Sequence, residues 1–309
     1  MPSKPFRFTA SMPGLDRTPA RWRDQIRRIE ELGFSSVAVS DHFTDGWAMD
    51  PIVAMTVAAE ATSTLKVLSL VLCNDFRHPV LLHKSMANLD AFSGGRVEVG
   101  LGAGWKRSEH EAAGLAFDPP AERVARLAES IEVITGLFGP EPLTYAGRHY
   151  RITELDGLPK PATRRPPILV GGGGRTVLEL AGRVADIVGI NPRLTAAGGL
   201  AAAMADMTAE KITRKVAWAR GAAADPERLE FQMTMLSVRV TVGGETHGST
   251  SSQAAEASPA ELAASPAVLH GSVDACVDKL VEVRERFGIS YFHLGGNLDA
   301  AAPIVAKLA

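Results

Sequence analysis

The sequence predicts an α/β fold in one domain over residues 1–309, a single (β/α)8 TIM barrel. Two observations predict it. Short β-rich runs alternate with amphipathic helical runs, which is typical of a parallel sheet. Eight such strand runs are found, and the chain begins and ends its pattern with a strand, which favours a closed barrel. A doubly wound open sheet is the alternative, but the phosphate loop that usually follows its first strand is missing here.

The elements are predicted from periodicity and from residues that begin or end helices. The strands are expected at 6–10, 36–40, 66–72, 96–101, 168–170, 186–190, 231–242 and 290–294. The helices are expected from 19 to 33, 50–63, 79–92, 118–138, 176–184, 201–220 and 272–288, with Thr18, Asp118 and Ser272 as N-caps.

Two segments are expected to leave the barrel. Residues 139–167 are rich in proline and contain a candidate hairpin around 145–148. Residues 243–270 are rich in Ser, Ala and Gly and are expected to form a mobile loop or a lid.

Composition excludes several classes of function. The formal net charge is −2, with 33 basic and 35 acidic residues, so no electrostatic footprint for nucleic acid or an anionic membrane is expected. No apolar run reaches the ~20 residues of a membrane helix. The two cysteines and the histidines lack metal-ligand spacing, so no metal site is expected, and a reducing cytoplasm fits best.

Catalytic groups of such a barrel lie where strands end, so the strand ends hold the candidate site residues. The second strand ends in Asp41 and His42, where His42 can move a proton and Asp41 can orient it or bind a cofactor edge. The alternative is a capping aspartate beside a packed histidine. The third strand ends in a polar cluster around Cys73 and Asn74, which either meets a ligand or caps the next helix.

The fourth and fifth strands end in glycines. Residues 100–105 read Gly-Leu-Gly-Ala-Gly-Trp, where glycine lets a flat ring or phosphate approach the backbone, or relieves crowding at the rim. The run Gly171, Gly172, Gly173, Gly174 and Arg175 precedes a helix and is expected to bind phosphate through backbone N–H groups. A plain flexible turn is the alternative, and the lysine of a P-loop is absent.

The order of these motifs resembles the luciferase-like monooxygenase family. The resemblance rests on Ser-Asp-His-Phe at 40–43, the polar bulge before His78-Pro79, the glycine run with Glu109 and Gly114 after it, the turn 166–174 and the segment 269–273. The branch it resembles is the actinobacterial one that uses the deazaflavin coenzyme F-420, mainly through Asp41-His42 and Cys73-Asn74. It implies a (β/α)8 barrel, hydride transfer with a small-molecule substrate and, often, a homodimer.

The resemblance also assigns roles. Asp41 and His42 match positions beside the deazaflavin, and a bulge near 72–74, often with a non-proline cis peptide, would support its central ring. Gly102 and Ala103 match the backbone that lines the ring, and the turn 171–175 matches the phosphate-holding turn. Sugar-phosphate dehydrogenases of this branch carry an acid where Trp105 stands here, which favours a less polar substrate, with Trp47 and Trp105 as candidate pocket walls.

Two other functions stay open on the sequence. One is an FMN-dependent monooxygenase that reacts with oxygen and binds FMN phosphate at 172–175. The other is a protein that binds the deazaflavin without catalysis. Oxygen consumption separates the first from hydride transfer, and tight binding without turnover would favour the second.

Overall fold

The structure is a computed structural model that describes residues 4–15, 18–44, 46–161, 164–194, 202–252 and 254–309. The strands are β1 (Arg7–Ser11), β2 (Ser36–Val39), β3 (Lys66–Ser69), β4 (Leu72–Cys73), β5 (Val97–Gly102), β6 (Leu143–Ala146), β7 (Arg151–Leu155), β8 (Ile168–Gly172), β9 (Ile187–Ile190), β10 (Glu230–Thr234), β11 (Ser237–Val242), β12 (Glu245–Thr250), β13 (Val268–Ser272) and β14 (Ile289–His293).

The helices alternate with these strands. They are α1 (Pro19–Glu31), α2 (Pro51–Ala61), α3 (Pro79–Ser93), α4 (Arg107–Ala112), α5 (Pro120–Leu137), α6 (Arg175–Val184), α7 (Ala202–Ala205), α8 (Ala209–Ala222), α9 (Pro259–Ala264), α10 (Val273–Phe287) and α11 (Leu298–Leu308). Among the residues that the structure describes, no helix is both long enough and apolar enough to cross a membrane.

The first of two compact units contains Met1–Ala38 and Val170–Ala309. Its main sheet runs β2-β1-β14-β10-β9-β8. The pairs from β2 to β9 are parallel, with Phe8 beside Phe292 and Phe231 beside Val188. Phe8, Phe231 and Phe292 are buried and form part of the core between sheet and helices.

The second unit contains Val39–Leu169. Its parallel strands run β3-β5-β4, since β5 pairs with both halves of the interrupted third strand. Gly100 is needed here because a Cβ at that position would lie 1.9 Å from the carbonyl oxygen of Ser69. The antiparallel hairpin β6–β7 packs on α5 through Ile152, Val133 and Leu137, so a hairpin is confirmed in the predicted excursion 139–167. Residues 162 and 163 of that excursion lie outside the described residues.

Helix α1 illustrates why most helix predictions are confirmed. The hydroxyl of Thr18 accepts the N–H of Arg21, and Pro19 occupies the first turn. Trp22, Ile26 and Ile29 form its buried face.

The structure differs from the predicted elements at four places. The strand 231–242 is two strands, β10 and β11. The segment 243–270, predicted as a mobile loop or a lid, contains regular structure, since β12 and β13 pair with β11 in a separate sheet and α9 contacts β13; the lid stays a prediction. Asp118 does not cap α5, which begins at Pro120; its carboxylate pairs with Arg126 instead. The strand β14 follows α10 as predicted, but the helix α11 after β14 was not predicted.

Two predicted segments extend beyond the residues that the structure describes. Residue 253, in the predicted lid, and residue 201, at the predicted start of a helix, lie outside the described residues. The prediction of one domain over 1–309 stays a prediction.

Candidate active site

Asp41, two residues after β2, is buried and bound on both carboxylate oxygens. Oδ2 accepts the backbone N–H of Cys73 at 3.0 Å and Nη1 of Arg77 at 2.5 Å, and Oδ1 accepts Nη2 of Arg77 at 3.1 Å. This bidentate pair fixes the end of β4 relative to the loop after β2. The prediction that Asp41 orients His42 is therefore wrong: its partners are Cys73 and Arg77.

The partner of His42 is Glu109, on the short helix α4. Nδ1 of His42 lies 2.7 Å from Oε2 of Glu109. The carboxylate can only accept, so Nδ1 carries the proton in this contact and Nε2 is left as the atom that takes or gives a proton. This is the arrangement that orients a catalytic imidazole.

Glu109 is ionised although it is buried. Burial disfavours its charge, but hydrogen bonds from His42 and Thr44 and the charge of Lys106 outweigh it and lower the pKa of Glu109 to about 2. Oε1 accepts the hydroxyl of Thr44 at 2.8 Å and the backbone N–H groups of Phe43 and Thr44, both at 3.3 Å. The carboxylate of Glu109 is thus negatively charged near neutral pH and lies beside the imidazole of His42.

Two tryptophans flank His42. The ring of Trp47 lies 5.2 Å from the imidazole and that of Trp105 lies 6.0 Å from it, edge-on. Both indoles keep substantial exposure, 48% for Trp47 and 36% for Trp105. Exposed aromatic surface beside the hydrogen-bonded His42–Glu109 pair is suited to an apolar or flat ligand.

The third strand is interrupted before the polar cluster. A non-proline cis peptide joins Leu70 to Val71, so it lies just N-terminal to the predicted segment 72–74. Cys73 follows in β4, and burial raises the pKa of its thiol to about 12, so the thiol is neutral. Asn74 is buried, its Nδ2 lies 3.5 Å from the Tyr150 hydroxyl, and its Oδ1 has no hydrogen-bond partner.

The loop after β5 lies against this cluster. Gly102 pairs in register with Cys73 across β4 and β5. Gly104 has a φ of +73°, and a Cβ there would lie 2.8 Å from Sγ of Cys73. The guanidinium of Arg123 donates to the carbonyl oxygens of Ala103 at 3.1 Å and Gly104 at 3.3 Å. The structure thus brings Asp41, Cys73, Gly102 and Ala103 together.

The glycine turn belongs to the other unit. Gly171 and Gly172 end β8, and Gly174 precedes α6 without a side-chain cap. A Cβ on Gly173 would lie 2.4 Å from the backbone nitrogen of Arg193, which explains the glycine. Arg175, the predicted cation of this turn, is exposed and pairs with Glu179 one turn along α6 at 2.7 Å, and its phosphate-binding role stays a prediction.

A basic side chain that the sequence did not single out approaches this turn. Nε of Arg193 lies 3.9 Å from the Cβ position of Gly174. The backbone N–H of Arg193 donates to Asp206 at 2.7 Å, and the same carboxylate oxygen accepts Nζ of the buried Lys215 at 2.5 Å. Lys215 also donates to the carbonyl oxygen of Asn191 at 2.6 Å.

The sequence assigned no role to Glu109 and Arg77, which contact predicted site residues of the second unit, or to Arg193 and Lys215, which lie near the glycine turn of the first unit. Glu109 had a usable signal, since it lies shortly after a strand end and in the first turn of α4. Arg77 lies in the polar cluster that follows the third strand, but its partner Asp41 is 36 residues away, and Arg193 and Lys215 belong to no motif that the sequence pointed to. Among the described residues, no three His, Cys, Asp or Glu side chains are grouped so that they could hold a metal ion.

Comparison with known proteins adds family and fold. The family model described as luciferase-like monooxygenase matches residues 5–290. An F420-dependent glucose-6-phosphate dehydrogenase of Kineococcus radiotolerans is 32% identical over 174 residues, 54% of this chain and 51% of that protein. An FMNH(2)-dependent dimethylsulfone monooxygenase of Pseudomonas putida is 31% identical over 162 residues, 51% of this chain and 44% of that protein. The chain spans about half the length of the curated relatives it matches.

A solved structure covers nearly all of the chain. An F420-dependent secondary alcohol dehydrogenase in complex with an F420-acetone adduct superposes with a TM-score of 0.75 at 19% identity, over 99% of this chain and 98% of that one. This likeness shows the fold, a (β/α)8 barrel. The predicted barrel is confirmed and the open-sheet alternative is excluded.

Proposed function

This chain belongs to the luciferase-like monooxygenase family, and from that premise we propose that it is an F-420-dependent oxidoreductase that moves hydride to or from a small organic substrate. The observation that carries the proposal is the contact between His42 and Glu109, flanked by Trp47 and Trp105. It supplies a proton-transfer group beside exposed aromatic surface, as alcohol or carbonyl chemistry requires.

The residues of the second unit fit a flavin-type ring. The buried Oδ1 of Asn74 has no partner and suits an N–H donor on a ring edge. The backbone of Gly102 and Ala103, braced by Arg123, would line the ring, and Asp41 would hold the strand end that carries Cys73 and Asn74. In the first unit, Gly171–Gly174 would hold a phosphate through backbone N–H groups, with Arg175 and Arg193 as the nearby cations.

When bound, the deazaflavin supplies the carbon that donates or accepts hydride. His42 gives or takes the substrate proton at Nε2. Glu109 keeps Nδ1 protonated and stabilises the imidazolium when it forms. Trp47 and Trp105 flank the imidazole and would offer aromatic surface to the substrate.

The coenzyme is tested by titrating the purified chain with F-420 and with FMN, each followed by fluorescence. The proposal expects micromolar or tighter binding of F-420 and weaker binding of FMN. Preference for FMN together with oxygen consumption would replace the proposal with the monooxygenase function, which the similarity to the Pseudomonas enzyme favours as second candidate. Tight binding of F-420 without turnover on any substrate would favour a non-catalytic binding protein.

The role of His42 is tested by His42→Ala. We expect turnover to fall about 100-fold or more, since a positioned acid–base group contributes that much, while the affinity for F-420 changes little. His247→Ala, on β12, is the matched control and is expected to leave both unchanged. Unchanged turnover in His42→Ala would remove the proposed proton-transfer role.

The substrate is proposed to be less polar than a sugar phosphate. By the family resemblance, Trp105 stands where the sugar-phosphate branch has an acid. Its ring centroid lies 6.0 Å from that of His42, with the two rings nearly perpendicular. We expect secondary alcohols or ketones with apolar groups to be turned over at higher kcat/KM than glucose 6-phosphate. A preference for glucose 6-phosphate would contradict this assignment while leaving the coenzyme untouched.

The chain is further proposed to act as a cytoplasmic homodimer. Leu81 and Phe92, 67% and 74% exposed, lie on one face of α3, which supports an apolar contact with a second copy. Both cysteines are buried free thiols, which is compatible with a reducing compartment.

A further inference from the structure

A cavity lies in the first unit, where strands β11 and β13 and helices α9 and α10 supply the residues that line it. Its volume is about 450 Å³, within the range of about 300–1,000 Å³ that small-molecule sites occupy. Three basic side chains line it, Arg239 from β11, His270 from β13 and Lys279 from α10. The remaining wall is apolar and includes Pro259, Leu262 and Ala263 of α9.

The basic side chains are brought together by the sheet register. Arg239 and His270 are direct neighbours on the parallel strands β11 and β13, so their side chains share one face. Nε2 of His270 lies 2.7 Å from the hydroxyl of Ser237, which fixes the orientation of the ring. Burial, and then the charges of Arg239 and Lys279, lower the pKa of His270. His270 is thereby held in its neutral form, so the positive charges at the cavity are those of Arg239 and Lys279, which a bound anion would offset.

The protein itself supplies little to offset them. None of the described residues that line the cavity is acidic. Glu261 of α9 is turned to its own helix start, where its carboxylate accepts the N–H of Ser258 at 2.9 Å and the hydroxyl at 2.7 Å. Glu282 is exposed on α10 and raises the pKa of Lys279, but burial outweighs it and the pKa of Lys279 is lowered.

We propose that this cavity binds a small organic anion, a carboxylate or phosphate monoester carried on a short apolar group. Arg239 and Lys279 would bind the anionic head, and Leu262 and Ala263 would contact the apolar group. The site shares no residue with the His42–Glu109 pair, and it does not depend on which coenzyme the chain uses.

The proposal is tested by isothermal titration calorimetry of the full chain with benzoate, phenyl phosphate and the neutral benzyl alcohol. Saturable one-to-one binding is expected for at least one anion, and the stronger of the two identifies the head group. Benzyl alcohol is expected to bind at least tenfold more weakly. Arg239→Gln and Lys279→Gln should each weaken the anion at least fivefold, and the exposed Arg21→Gln on α1 should leave it unchanged.

Further variants distinguish binding in this cavity from binding at the catalytic pair or at surface cations. Leu262→Glu, at a half-buried position, places a negative charge in the apolar wall and should abolish binding without removing a cation. His42→Ala should leave the anion affinity unchanged, and a loss there would show that the anion binds at the catalytic pair instead. Lack of saturable binding by both anions, equal binding of benzyl alcohol, or an equal loss in Arg21→Gln would overturn the proposal.

Discussion

At the scale of single residues, the site depends on a buried charge that other residues keep ionised. Glu109 lies in contact with His42, Thr44 and Lys106, and these contacts hold its pKa at about 2. A neutral group of the same shape would leave the imidazole without its charged acceptor.

Glu109→Gln is therefore expected to lower turnover about 100-fold while F-420 affinity changes less than about threefold, because the amide cannot hold the protonated Nδ1 of His42 in the same way. Steady-state kinetics and fluorescence titration measure the two quantities. Glu111→Gln, an exposed neighbour paired with Arg107 at 3.7 Å, is the control. Equal effects of both variants would show that the charge of the helix, and not the contact, matters.

The same carboxylate makes stability depend on pH. Its pKa is lowered from 4.5 to about 2 in the folded state, so its contribution is present above pH 4.5 and is lost as pH falls towards 2. The shift corresponds to about 3 kcal/mol. The difference in unfolding free energy between the native chain and Glu109→Gln should thus shrink over this window in urea denaturation. A constant difference would contradict the lowered pKa.

At the scale of elements, one buried lysine holds the loop against which the glycine turn packs. Lys215 of α8 bonds to Asn191 and to Asp206, and Asp206 also accepts the N–H of Arg193. Gly173 approaches the backbone of that loop so closely that a Cβ would lie 2.4 Å from the Arg193 nitrogen. The turn geometry therefore depends on α8.

Lys215→Met should lower the unfolding free energy by about 3 kcal/mol, since it leaves the carboxylate of Asp206 without its buried partner, and should weaken F-420 binding. Lys211→Met is the matched control: its ammonium is exposed and 3.8 Å from Asp206, so a change below about 1 kcal/mol is expected. Denaturation and titration of both variants test this. If Lys215→Met is destabilised but binds F-420 as tightly as the native chain, the loop at 191–193 does not control the geometry of the phosphate-binding turn.

At the scale of the whole molecule, a buried histidine makes the unfolding free energy depend on pH. His83 is buried against Phe138, with ring centroids 4.5 Å apart. Burial, and then the charges of Lys160 and Lys84, lower its pKa from 6.5 to about 4. As pH falls, His83 takes up a proton in the unfolded chain before it does so in the folded chain. The unfolding free energy therefore decreases as pH falls from 6.5 to 4, by about 3 kcal/mol. His83→Leu should flatten this loss in denaturation at several pH values, whereas His247→Leu should not.

The homodimer proposal has its own test. The double variant Leu81→Lys, Phe92→Lys puts charges on the exposed face of α3 and should raise the dimer dissociation constant at least tenfold in light scattering. Leu115→Lys, also exposed, is the control. A native chain that is monomeric at micromolar concentration would contradict the homodimer.

Much of the fold follows from local sequence. Helix caps such as Thr18 and Ser272 and the buried stripe Trp22, Ile26 and Ile29 are recognisable because they act within a few residues of one another. Periodicity failed where a strand pair leaves the main sheet: 231–242 shows one apolar run, yet β10 and β11 join different sheets. Local patterns do not specify which strand is the neighbour.

For the site, the sequence predicted candidate residues at the strand ends of a barrel, and the structure brings four of them, Asp41, Cys73, Gly102 and Ala103, together. The partners of two of the candidate residues became known only from the folded chain: Glu109 for His42 across 67 positions, and Arg77 for Asp41 across 36. Such partners escape local patterns because a side-chain contact depends on the packing of whole elements, and a hydrogen bond is made or lost over a few tenths of an ångström.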